Sequence, residues 1–109
     1  MEINGVKIHP QALVETDRIG PGTRIWAFVH VLKDAEIGSD CNIGDGCFIE
    51  GNVKVGNEVV VKNGVMLCSG VRVEDRVLIG PNVGFVNDRF PRAKVFHNHY
   101  EETIIREGG

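Results

Sequence analysis

The chain lacks an apolar run long enough to cross a bilayer, and it lacks a hydrophobic leader: Met1-Glu2-Ile3-Asn4 is short and acidic. A cytoplasmic protein with no membrane partner is the expectation. Charge of one sign is also scarce. Twelve Lys and Arg against fifteen Asp and Glu leave a net charge of −3, which argues against nucleic acid as the main partner. Cysteine is sparse and odd in number, three in 109 residues, so a fully paired disulfide framework is excluded. At this length a single domain is expected.

What the chain does have is a strict period. Every sixth residue from Ile19 is large and apolar: Ile19, Ile25, Val31, Ile37, Ile43, Ile49, Val55, Val61, Leu67, Val73, Ile79 and Phe85. At 42% hydrophobic content, about five of those twelve would be apolar by chance. A second series, Thr23, Val29, Ala35, Cys41, Cys47, Val53, Val59, Val65, Val71, Val77 and Val83, is small or β-branched. A helix repeats at 3.6 residues and a half-buried strand at 2, so a period of six indicates a β-solenoid. Turn-formers recur at a third position: Gly22, Asp34, Asp40, Gly46, Asn52, Gly64, Gly70, Asn82 and Asp88.

Three strand-plus-corner units close a triangular coil of 18 residues. The aliphatics then stack in three columns: Ile19–Ile37–Val55–Val73, Ile25–Ile43–Val61–Ile79 and Val31–Ile49–Leu67–Phe85. The predicted fold is all-β, a parallel β-helix of about four to five coils. Cys41 and Cys47 fall at the small inward position and Cys68 on the outside, as packing thiols in a reducing compartment.

Residues 1–18 read as an N-terminal cap and first coil, with Met1–Lys7 closing the end and a hexad already present at Ile8. The step from Val14 to Ile19 is five residues, a deletion of one. Residues 19–86 carry the regular hexads and residues 87–102 read as a loop leaving the coil. Residues 103–109 resemble Val59–Gly64 and read as the start of a truncated coil.

Several stretches exceed what a hexad requires: Thr23-Arg-Ile-Trp-Ala-Phe-Val-His30, Ile79-Gly-Pro-Asn82 and, most specifically, Asn87-Asp-Arg-Phe-Pro-Arg92. In these the chain, from Ile8 to Lys94, resembles the hexapeptide-repeat acyltransferases that N-acetylate nucleotide-linked 3-amino sugars. Examples of their substrates are UDP-2-acetamido-3-amino-glucuronate and dTDP-3-amino-6-deoxyhexoses. The resemblance implies a left-handed β-helix, against the usual right-handed crossover. It also implies acetyl-CoA as acyl donor, a homotrimer with clefts between subunits, and a place in lipopolysaccharide or surface-polysaccharide biosynthesis. Relatives continue with further coils that help bind coenzyme A, and this sequence stops before them. Gly46 and Cys68 stand where relatives carry bulkier residues. A non-catalytic solenoid or assembly protein that has lost the coenzyme A half is therefore the alternative, and end-to-end association through the last strand is a further expectation.

Acetylating an amine with a thioester needs a neutral nucleophile, an oriented carbonyl and oxyanion stabilisation. The resemblance assigns Asn87 to holding substrate at the reaction centre; by itself the Asn87-Asp88 pair also suits a turn. His30, outward on its strand, is a candidate general base or an interface or substrate contact. Arg89 and Arg92, with Lys94, offer guanidinium forks and charge to a diphosphate, or form a solvated loop. Arg24, Glu50 and Lys62, with Asp88, complete the candidate substrate contacts. Trp26 suggests an interface or base stacking. His97 and His99 have no third histidine at coil spacing, so no metal is expected.

Overall fold

In the computed structural model the hexads form three parallel walls, and the structure describes residues 1–82, 84–85 and 103–106. The first wall comprises β1 (Glu2–Ile3), β2 (Val6–Ile8), β4 (Arg24–Ile25), β7 (Asn42–Ile43), β10 (Val60–Val61) and β13 (Leu78–Ile79). The second stacks β3 (Leu13–Val14), β5 (His30–Val31), β8 (Phe48–Ile49), β11 (Met66–Leu67) and β14 (Gly84–Phe85). The third stacks β6 (Glu36–Ile37), β9 (Lys54–Val55), β12 (Val71–Val73) and β15 (Thr103–Ile105). Among the described residues there is no helix. The fold is thus an all-β parallel solenoid of about four turns.

Register confirms the columns residue by residue. Ile25 pairs with Ile43 and Ile43 with Val61; Val31 pairs with Ile49; Ile37 pairs with Val55. The first coil is one residue short, because Lys7 pairs with Arg24 and Leu13 with His30, and the coils after it step by eighteen. That is the deletion visible between Val14 and Ile19. At the far end β15 returns to β12, with Val73 opposite Ile105.

Both apolar series point inward. Ile25, Val31, Ile43, Ile49, Val61 and Leu67 are 0–2% exposed, and so are Val29, Ala35, Val53, Val59, Val65, Val71 and Val77. Each large aliphatic buried this way contributes about 1.5–3 kcal/mol of apolar transfer. Backbone donors on one coil reach carbonyls on the next, as in Arg24 N–H to Cys41 O at 2.9 Å and Asn42 N–H to Val59 O at 2.9 Å. The strands are only two or three residues long, so stacking rather than strand length holds them.

The inward polar residues solve a local problem. Thr23 Oγ1 donates to Gly38 O at 2.7 Å, Cys41 Sγ to Gly56 O at 3.1 Å and Cys47 Sγ to Lys62 O at 3.0 Å. Each reaches a carbonyl fifteen residues ahead, where the next coil turns its corner. The two buried thiols are therefore weak donors to corner carbonyls as well as packing groups. Burial pushes both thiols above the ordinary range, so neither is a thiolate near neutrality.

Corners are stapled by asparagine and aspartate. Asp45 Oδ1 accepts from Ala27 N–H at 3.2 Å and Asn63 Oδ1 from Asp45 N–H at 3.0 Å. On another edge Asn57 Oδ1 accepts from Ser39 N–H at 2.8 Å and Asp75 Oδ1 from Asn57 N–H at 2.7 Å. A left-handed backbone conformation recurs at every sixth residue from 22 to 82. Glycine, Asn and Asp fill most of these sites, but Phe28 (φ 61°), Glu58 (φ 58°) and Arg76 (φ 59°) adopt the same conformation. The lattice imposes positive φ on residues that disfavour it.

The N-terminal edge is covered. β1 folds back antiparallel on β2 through Asn4 (φ 52°) and Gly5 (φ 81°), a turn with both central residues at positive φ. Asn-Gly is the usual pair for such a hairpin, so the local sequence itself encodes this cap.

Candidate functional site

The walls share an interior but differ outside. On the second wall the outward residues at register are Leu13, His30, Phe48 and Met66, with Leu13 55% and Met66 46% exposed. His30 stands between two partners. Its Nε2 lies 3.5 Å from Glu15 Oε2, and its ring meets Phe48 edge-on at 5.5 Å between centroids. At 3.5 Å the contact is longer than a good hydrogen bond; the Nε2 atom is buried and makes none. The ring is thus held by packing, with a carboxylate in reach of one nitrogen. Glu15 went unnoticed in the sequence. The signal was available in the 17-residue first coil, which sets β3 beside β5 and brings the residue after Val14 to His30.

Glu50, on the same wall, is committed elsewhere: its Oε1 accepts from Ser69 N–H at 2.8 Å and holds the corner. Half-buried Cys68 is adjacent in environment, its thiol raised first by burial and then by the Glu50 charge. Arg24 lies on the first wall, exposed, and Lys62 is exposed at the corner after β10. Arg24 and Lys62 thus belong to the first wall and Glu50 to the adjacent second wall; Arg24 lines a cavity with Lys7, His9 and Trp26.

Asn87, Asp88, Arg89 and Arg92 lie outside the described residues, as do Lys94, His97 and His99. The strand they follow, β14, is three strand spacings from β5 through β11 and β8. At about 4.8 Å per spacing that is roughly 14 Å. His30 and the end of β14 are therefore on one wall at different heights. Among the described residues no three His, Cys, Asp or Glu side chains converge to hold a metal ion.

This geometry, six-residue units of strand and corner wound into a prism, has a counterpart in known proteins. Residues 18–51 match the family described as bacterial transferase hexapeptide (six repeats). That match covers about a third of the chain. A 33-residue stretch, 30% of this chain, is 61% identical to the dTDP-3-amino-3,6-dideoxy-alpha-D-galactopyranose 3-N-acetyltransferase of Aneurinibacillus thermoaerophilus. That stretch spans 17% of the relative's length. Hexapeptide repeats alone specify the interior, since their large and small apolar positions are the two inward columns. Outward chemistry such as the His30–Glu15 pair is free of the repeat's demands, and function must be argued there.

Proposed function

We propose that the chain takes part in acetyl transfer from acetyl-CoA to the amine of a nucleotide-linked 3-amino sugar, in the cytoplasm, for surface-polysaccharide assembly. The observation that carries this reading is a histidine–carboxylate pair on an apolar outer wall of hexapeptide repeats that are similar to an amino-sugar N-acetyltransferase. Leu13, Phe48 and Met66 give that wall the apolar surface that packing against a second copy would cover. A homotrimer places such walls against neighbours and forms clefts between them.

In this reading the unprotonated sugar amine attacks the thioester carbonyl, a C–N bond forms, and the C–S bond breaks. The departing thiolate takes the amine proton, so coenzyme A leaves as the thiol and no strong base is required. Asn87 orients the amine and carbonyl. In this reading His30 and Glu15 contact a part of the substrate remote from the amine, where the imidazole can donate or accept.

Isothermal titration with coenzyme A, followed by thiol release from acetyl-CoA in the presence of dTDP-3-amino-3,6-dideoxygalactose, tests it. Binding and thiol release are expected, with Asn87→Ala lowering kcat about a hundredfold and His30→Ala chiefly raising KM. No heat with coenzyme A up to millimolar concentration would sink the catalytic reading.

A further inference from the structure

The chain holds two Asn-Gly dipeptides, Asn4-Gly5 and Asn63-Gly64, and the fold treats them oppositely. An asparagine followed by glycine is open to attack on its own side chain by the glycine nitrogen. Glycine has no Cβ to bar the approach, and its backbone turns freely. At the Asn63 corner both reacting groups are held. Asn63 Oδ1 accepts from Asp45 N–H at 3.0 Å, and Gly64 N–H donates to Asp45 O at 2.8 Å. The nitrogen reaches the side-chain carbon there only if neighbouring coils separate.

At Asn4 neither group is held. Among the described residues the exposed Asn4 side chain makes no hydrogen bond, and the Gly5 N–H donates none. The pair forms the two-residue turn between β1 and β2. β1 is two residues long and outermost in the order of the first wall. Such an edge frays at little cost, which lets the turn rearrange and bring the Gly5 nitrogen to Cγ of Asn4. Glycine is fixed at position 5 by φ 81° and by Pro21, whose Cβ would lie 3.0 Å from an added Cβ. The turn that makes the cap therefore also makes the reactive pair.

We propose that Asn4-Gly5 is a self-modifying site whose conversion to isoaspartate uncaps the first wall. The Gly5 nitrogen attacks Cγ of Asn4 and a C–N bond forms. The nitrogen's proton leaves with the side-chain amide as ammonia, and a cyclic imide joins the two residues. Water then opens either carbonyl of the imide. One opening gives aspartate; the other gives isoaspartate, whose main chain runs through Cβ and Cγ and is one methylene longer. Gly5 keeps its place, because its carbonyl accepts from Gly22 N–H at 2.9 Å, so the added length falls on β1. The pairing of Glu2 with Lys7 and of Ile3 with Val6 goes out of register. Ile8 N–H loses its bond to Met1 O, 2.7 Å in the intact cap, and buried Val6 loses Ile3. A strand edge freed in this way recruits a strand from a second copy. The inference is independent of acetyl transfer.

The folded chain is incubated in neutral and in mildly alkaline buffer, digested and mapped by mass spectrometry, with isoaspartate labelled by protein isoaspartyl methyltransferase. In the folded chain Asn4 is expected to convert at least about tenfold faster than Asn63, and the two rates to converge in denaturant, where the corner's protection is lost. Conversion is expected to quicken in the alkaline buffer, since the backbone nitrogen attacks as its anion. Sedimentation velocity of the aged chain is expected to show species larger than in the fresh protein. Asn4→Gly keeps a residue that accepts positive φ and removes the side-chain amide; it is expected to show neither change. Equal conversion of Asn4 and Asn63 in the folded chain, or an intact Asn4 where the denatured chain is modified, overturns the site. Conversion at Asn4 with unchanged sedimentation, aspartate as its sole product, or the same larger species in aged Asn4→Gly overturns the uncapping.

Discussion

The second and third walls have the same inside and opposite outsides. Inside, Val31, Ile49 and Leu67 stack on one, and Ile37, Val55 and Val73 on the other, all buried. Outside, the second wall shows Leu13, His30, Phe48 and Met66, while the third shows Glu36, Lys54 and Arg72. The third wall also spends its charges on itself. Arg18 meets Glu36 at 3.3 Å, Arg106 meets Glu74 at 3.4 Å, and Arg72 reaches Asn52 Oδ1 at 3.0 Å. The exposed pairs contribute little to stability, about 0–1 kcal/mol each, but they make that wall a solvated one. The second wall has no such use for its apolar row in a lone chain. The repeat dictates what the interior needs, and each wall's exterior is left free to specialise.

The largest expected effect tests the sameness. Ile49→Ala on the second wall and Ile37→Ala on the third should each cost about 2–5 kcal/mol, because both open a cavity in the stacked core. Denaturant unfolding of the two variants should give losses within a factor of two of each other. A loss confined to one wall would break the idea of an equivalent interior.

Next in size is the difference between exteriors. Phe48→Glu should weaken self-association at least about tenfold, since it places a charge in an apolar contact. Lys54→Gln on the third wall should leave association unchanged. Sedimentation velocity across a concentration series separates the two, and equal behaviour would remove the second wall's special standing.

The smallest effect concerns the corners that join the walls. Phe28 holds φ at 61° while 65% exposed, in a column otherwise occupied by Gly46, Gly64 and Asn82. Phe28→Asn should therefore stabilise the isolated fold by about 0.5–1 kcal/mol by relieving backbone strain. Thermal unfolding measures it. A destabilised variant would mean that the ring makes contacts worth more than the strain.

The columns could be read directly because an interior one side chain wide admits one kind of residue at each step. The five-residue step before Ile19 even foretold the short first coil. The N-terminal hairpin was equally legible in Asn4-Gly5, a local signal. Which side chains the outward residues meet was less legible: Glu50 is drawn into a corner by Ser69 N–H, and Arg24 stands beside Lys7 and Trp26. Glu15 and His30 are fifteen residues apart and meet only because the chain returns one coil later.

Sequence alone determined the period, and with it the all-β prism and its inward columns, because each of these is a local steric demand repeated every six residues; the positive φ of Phe28, Glu58 and Arg76 was imposed by the stack. Tertiary structure alone decided which outward residues became neighbours: His30 with Glu15 and Phe48, Lys7 with Arg24 and Trp26. Outward positions carry no periodic constraint, so their chemistry exists only once the coils are stacked.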